Sequence, residues 1–148
     1  MESRIKVLGH GTHPILVAFP IGLLLSALGF DLLRQITGDK KWGQIAFWNM
    51  IAGCLGGWAS MLPGAVDWWF LPRGTRAKKI ATIHAVAADT GINLFFASWL
   101  LRRKDPANPS PKALALAGLG GLVISIVGWL GGELVQRMGV SVEPGAGL

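Results

Sequence analysis

Residues 14–33 read PILVAFPIGLLLSALGFDLL, and the one charged residue among them, Asp31, comes near the end. A helix needs about 20 predominantly apolar residues to cross a hydrocarbon layer of about 30 Å. This stretch meets that requirement, and three others follow it. They run over about 44–70, 80–101 and 113–135. Pro63-Gly64 lies inside the second and is expected to kink it. No segment alternates apolar and polar residues as a membrane β-barrel strand does. Helices therefore satisfy the backbone across the bilayer. The expected fold is all-α: an antiparallel bundle of four transmembrane helices, with residues 1–148 forming a single membrane domain. The first span begins with His13-Pro14, ends in Asp31 and Arg34, and carries no small-residue cleavage site. It reads as a retained membrane helix rather than a signal peptide.

Composition agrees. Hydrophobic residues make up 51% of the chain, charged residues 15%, and the mean hydropathy is +0.48. A soluble domain carries about 25% charge. The net charge of +6 sits in bursts between apolar runs, which argues against a nucleic-acid surface. These bursts either contact anionic lipid headgroups or anchor helix ends in the bilayer. The connections, Gln35–Gly43, Leu71–Lys79 and Arg102–Lys112, are short, so neighbouring helices run antiparallel. The N-terminus, second connection and C-terminus then share one side, side A; the first and third connections occupy side B. Each side holds seven Lys and Arg residues, so the positive-inside rule assigns no orientation. The single cysteine, Cys54, lies within a span and excludes an intrachain disulfide.

Small residues recur at helical spacing. The second span carries Gly53, Gly56, Gly57, Ser60 and Gly64, and the fourth carries Gly118, Gly121, Ser125, Gly128 and Gly132. Such stripes either let helix backbones approach closely or leave clearance for a flat cofactor. A two-helix repeat is also visible. Each half enters through a histidine, His13 or His84, and closes on an acid, Asp67 or Glu133. This pattern implies a pseudo-two-fold axis along the membrane normal.

The repeat brings His10, His13, Asp67, His84 and Glu133 towards side A, whereas side B has no histidine. Ionisable groups at membrane depth are costly and point to function. His84 continues along its face into Ala87, Ala88 and Gly91, which leave room for a planar ligand. It reads either as an axial ligand to haem iron or as a histidine hydrogen-bonded to Asp67 or Glu133. His13 stands at a helix mouth before Pro14 and is either the second axial ligand or an interfacial residue. It lies opposite the small stripe Ala18, Gly22, Ser26, Gly29 of its own helix. His10 reads as a surface residue. Two histidines and two carboxylates also have the donor types for a divalent metal, though no H-x-x-x-H or E-x-x-H spacing is present. Asp89 and Asn93, one turn apart nearer the bilayer centre, are expected to face the bundle. There they would serve as packing hydrogen bonds or as a site for a proton or a quinone headgroup. Asp31 and Arg34 are expected to pair at i, i+3. No phosphate loop, dinucleotide fingerprint or nucleophile elbow is present, so no catalytic residues are assigned.

Gly11-Thr12-His13-Pro14-Ile15-Leu16-Val17-Ala18-Phe19-Pro20, Phe47-Trp48-Asn49, Val66-Asp67-Trp68, Thr82-Ile83-His84-Ala85 and Gly128-Trp129-Leu130-Gly131-Gly132-Glu133-Leu134-Val135 together resemble a bacterial membrane family, the domain of unknown function 2231. The family is similar in architecture to small cytochrome b-type four-helix proteins, and some members look to be joined to Rieske-type iron–sulfur domains. The resemblance implies a multi-pass protein of the inner membrane engaged in redox work. It assigns His13, His84, Asp67 and Glu133 as the polar positions of a cofactor site. Dihaem cytochromes use four helix histidines, whereas this chain has three, so at most one bis-histidine haem fits one chain. The expected role is a b-type haem electron carrier, with His13 and His84 as axial ligands and Asp67 and Glu133 tuning them by hydrogen bonds. Quinol or a redox protein would be its partner. The alternative is a cofactor-free accessory subunit docked on a larger membrane complex. In either case the chain serves as a carrier or subunit rather than an independent enzyme.

Overall fold

The computed structural model describes residues 1–143 and 145, and it is a four-helix bundle. Helix α1 spans Thr12–Thr37, α2 Lys40–Phe70, α3 Arg76–Leu101 and α4 Pro111–Gly132. All four are long and apolar enough to cross a membrane. A short hairpin precedes them, strand β1 (Lys6–Val7) pairing antiparallel with β2 (His10–Gly11). A single π-helical turn, Glu133–Arg137, follows α4.

Local chemistry sets the helix ends. Pro14 fits the first turn of α1, where a missing N–H costs nothing. That helix stops at Gly38, whose φ of 73° is the left-handed conformation suited to glycine; its N–H donates to the Arg34 carbonyl. Asp39, Thr75 and Ser110 cap α2, α3 and α4, each side chain accepting from a first-turn N–H. These caps explain why the helices begin before the apolar runs do: Lys40–Lys41 and Arg76–Lys79 are polar yet helical. Pro63 lies inside α2 without ending it.

Helix α1 packs chiefly on α2, and α3 on α4. Glycines set the approach. A Cβ on Gly53 would come within 2.7 Å of Leu24, and one on Gly120 within 2.9 Å of Phe95. These contacts are equivalent in the two halves. One offset maps His13, Leu24, Ala27 and Asp31 of α1 onto His84, Phe95, Ser98 and Arg102 of the second half. Another maps Ala46, Gly53, Ser60 and Gly64 of α2 onto Ala113, Gly120, Val127 and Gly131 of α4. The repeat is therefore structural as well as sequential. Between the halves lies a core of Leu24, Met50, Cys54, Ile92, Phe95 and Ile124. The rings of Phe47, Trp99, Phe96 and Trp58 extend it, with successive centroids 5.2–5.6 Å apart.

At side B the repeat produces a buried ion pair. Arg102, 2% exposed, donates from both terminal nitrogens to Asp31 at 2.8–3.2 Å. It also donates to Ser98 Oγ at 2.9 Å. The expected Asp31–Arg34 pair is thus corrected. Arg34 instead donates to the Ala107 carbonyl and Asn108 Oδ1. Arg102 wins because tertiary packing delivers its planar fork to both carboxylate oxygens.

Candidate functional site

Toward side A, two histidines face each other across the pseudo-two-fold axis. Their ring centroids are 6.4 Å apart and their planes cross at 86°. Each ring is held in the same way. His13 Nδ1 lies 2.7 Å from the Ser60 carbonyl, and His84 Nδ1 lies 3.1 Å from the Val127 carbonyl. A carbonyl can only accept, so each Nδ1 carries a proton, which in a neutral ring puts the lone pair on Nε2.

The sequence makes these carbonyls reachable. Four residues after Ser60 comes Gly64, and four after Val127 comes Gly131. A side chain at either place would stand over the carbonyl one turn back. A Cβ on Gly64 would lie 2.8 Å from His13 Cε1, and one on Gly131 would lie 3.4 Å from His84 Cε1. The first position has no room for a methyl group; the second is at ordinary contact distance.

A cavity of about 740 Å³ adjoins the two rings. Its lining is mostly apolar, with small residues such as Gly57, Ala85, Ala88 and Gly128 set among larger ones such as Ile21, Leu24 and Met61. Both imidazoles line it, as does Asp67.

The carboxylates are engaged elsewhere, which corrects the expectation that they hydrogen-bond to the histidines. Asp67 is buried and accepts from Ser3 Oγ at 2.8 Å, the Arg4 N–H at 2.7 Å and Ser141 Oγ at 3.2 Å. It ties both terminal segments over side A. Glu133 pairs with Arg76 at 2.8 Å and Arg137 at 3.4 Å, joining the second connection to the π-helical turn. Geometry explains the difference: the Ser60 and Val127 carbonyls take the Nδ1 protons, and each acid is met by donors of its own at side A. His10 is exposed in β2, its Nδ1 bonded to the Leu8 carbonyl. Among the described residues no group of three or more His, Cys, Asp or Glu side chains is placed to hold a metal ion. The two-histidine, two-carboxylate metal reading is therefore set aside.

Asp89 departs from expectation as well. It is exposed on the outer face of α3, and Asn93 Nδ2 donates to its backbone carbonyl at 2.8 Å. A polar link inside the bundle is instead made by Asn49 to Ser26, at 2.9 Å between α2 and α1. Of the small stripe of α1, Ala18, Gly22 and Gly29 face outward, with open space at Gly22 and Gly29, while Ser26 turns to α2. That leaves His13 on the inner face. Sequence reasoning found the histidines but missed the Ser60 and Val127 carbonyls. The available signal was a glycine four residues beyond the same level in both second helices.

Four apolar spans with short connections define a multi-pass integral membrane protein. The chain belongs to the family described as "Predicted membrane protein (DUF2231)", whose model matches residues 9–144. No curated protein and no solved structure matches it.

Proposed function

We propose that the chain binds one b-type haem between His13 and His84 and acts as a one-electron carrier of the bacterial inner membrane. The spacing of two ligand-ready imidazoles carries this reading. Imidazole nitrogens bind a metal at about 2 Å, so two rings held by one ion would have centroids no more than roughly 6 Å apart. The rings here are at 6.4 Å. His13 and His84 would hold the iron, and a pair of protein ligands suits a cofactor that brings further donors of its own. Small residues along the cavity favour a flat group.

When bound, haem would supply reversible one-electron chemistry at a potential set by its axial ligands and surroundings. The chain's own residues would orient and shield it. Ser60 and Val127 fix the tautomer and plane of each imidazole, raising its basicity as a ligand. Ile92, Ile124 and Val127 keep the lining dry. A quinol or a partner redox protein would exchange the electron at side A.

The test is a visible spectrum of detergent-purified protein expressed with ample haem, oxidised and then reduced with dithionite. A sharp reduced α-band and a Soret shift are expected, both lost in His13→Ala and in His84→Ala. A featureless spectrum from folded protein overturns the proposal. The second reading, a cofactor-free accessory subunit, draws on the outward polar face at Asp89. It would be favoured by colourless protein that leaves the membrane with a larger partner.

A further inference from the structure

We infer that the outer face of α3 is a self-association surface through which two copies of this chain pair in the membrane. The inference does not require a cofactor, though Val86 on this face also borders the cavity beside the histidines. It begins with Asp89, which lies at the midpoint of Arg76–Leu101 and faces out of the bundle. A carboxyl group there is poorly solvated in hydrocarbon and calls for a protein neighbour. The fold does not require it. The repeat offset places Ala18 and Gly22 of α1 at the positions equivalent to Asp89 and Asn93. One half thus carries small apolar residues where the other carries a carboxylic acid and an amide.

The surrounding sequence describes the occupant. Ile83, Thr90 and Ala97 recur every seven residues, as do Val86, Asn93 and Leu100. Except for Ala97, which is half-buried, all are exposed, Val86 to 63%. Alternating steps of three and four residues along one outward line form the seam of a coiled coil, which meets another helix at a shallow crossing angle. The seam is narrow at its centre, with Thr90 and Ala97 on one row, and carries one amide, Asn93. An amide on a seam meets its own copy well, since it both donates and accepts, and it fixes register. In knobs-into-holes packing, Thr90 would enter the hole formed by Val86, Asp89, Thr90 and Asn93 of the second copy. The patch then supplies its own complement: Asp89 accepts, and the free N–H of the facing Asn93 donates. Copies sharing one topology pair about an axis along the membrane normal, and an isologous contact needs this self-complementarity. No Lys or Arg lies on this stretch of α3, and a second copy needs none.

The experiment is cysteine cross-linking of the full chain in its own membranes. Replacing buried Cys54 by Ala removes the native thiol. Single cysteines at Val86→Cys and Ala97→Cys probe the seam, and Leu119→Cys probes the outward face of α4. Oxidation is expected to give a band at twice the chain mass from both seam positions and not from Leu119→Cys. Adding Asp89→Leu with Asn93→Leu to Val86→Cys should cut that band about five- to tenfold, as expected for lost interhelical hydrogen bonds. Both substitutions face outward, and helical content by circular dichroism should be unchanged. The inference is overturned by seam cysteines that give no dimer, by equal cross-linking at Leu119→Cys, or by a double-leucine variant that cross-links undiminished. A seam band of some other mass would assign the face to a different protein and likewise overturn it.

Discussion

Single residues carry the two polar features that hold the bundle's ends. Arg102 and Asp31 are sealed from solvent, and removing one partner leaves the other as an uncompensated charge. Arg102→Met should therefore cost about 3–5 kcal/mol, whereas Asp31→Leu together with Arg102→Met should recover most of it. Thermal unfolding in detergent of the single and double variants checks this; equal losses in both would mean that the pair itself, rather than its disruption, supplies the stability. At the other end, Gly64 and Gly131 do the same job with different clearance. Gly64→Ala puts a methyl group 2.8 Å from His13, while Gly131→Ala puts one 3.4 Å from His84. The first should displace its ring from the Ser60 carbonyl, lowering the unfolding midpoint and, under the proposed function, the haem retained per chain. The second should be close to wild type. Equal effects would count against the idea that these glycines clear a path to the carbonyl. Residue identity made the histidines and Asp31 legible in the sequence, but their partners were not. The inner ring nitrogens bond to main-chain carbonyls, which carry no residue signature, and Arg102 reaches Asp31 only once the two helical hairpins are assembled. Arg34 was nearer in sequence and was the wrong choice.

Elements were the most legible level, because the length of an apolar run and the thickness of a bilayer are tied by helical rise. All four spans are where hydropathy puts them. Their ends are not, since each starts two to four residues earlier than its apolar run. For α2, α3 and α4, capping chemistry rather than apolarity sets the start. Ser110 accepts from the Ala113 N–H ahead of Pro111, so Ser110→Ala should cost about 1 kcal/mol, read as a lower unfolding midpoint. Asp39 adds a pH dependence. Hydrogen bonds from the Lys41 side chain and backbone hold its carboxyl below the usual carboxylate range. A depressed folded value means that the stabilisation is complete above the ordinary carboxylate value and disappears as pH falls through the folded one. The wild type should thus lose stability relative to Asp39→Asn only below about pH 4. A difference between their midpoints that stays constant from neutral to acid pH would count against an ionised cap. The π-helical turn after α4 and the hairpin before α1 had no legible signal, as both are too short for periodicity to register.

The whole molecule is two helical hairpins related by a pseudo-two-fold axis, and its functional features follow from where that symmetry holds and where it breaks. It holds at the histidines, their carbonyls and the glycines that expose them, and so it builds one shared site from two equivalent halves. It breaks into opposite charges at Asp31 and Arg102, which join the halves at side B. It breaks again at Asp89 and Asn93, which have no polar counterpart on α1. The acids read as matched from the sequence are not equivalent: the offset that maps Gly64 onto Gly131 maps Asp67 onto Leu134, leaving Glu133 one position out of step. That single residue separates their roles. Glu133 faces Arg76 and Arg137 at the rim, whereas Asp67 points inward beneath the terminal segments. Asp67 receives Ser3 and Arg4 from one end of the chain and Ser141 from the other; nearby, the Met1 amino group donates to the Gly139 carbonyl at 2.7 Å. One carboxylate therefore holds the segments around Ser3–Arg4 and Ser141 over the cavity. Hydrogen bonds to a charged group contribute about 1.5–3 kcal/mol, so Asp67→Ala should free these segments together, speeding amide exchange at Arg4 and Val140 by roughly tenfold or more. Amides in the middle of the helices should exchange as before, because the core between the hairpins does not touch Asp67. Glu133→Gln, which loosens only the rim, should leave the terminal amides protected. Hydrogen exchange read by mass spectrometry separates the cases: acceleration at one terminus alone would mean that the segments are held independently, and acceleration throughout the helices would make Asp67 a residue of the core rather than the clasp of the cap.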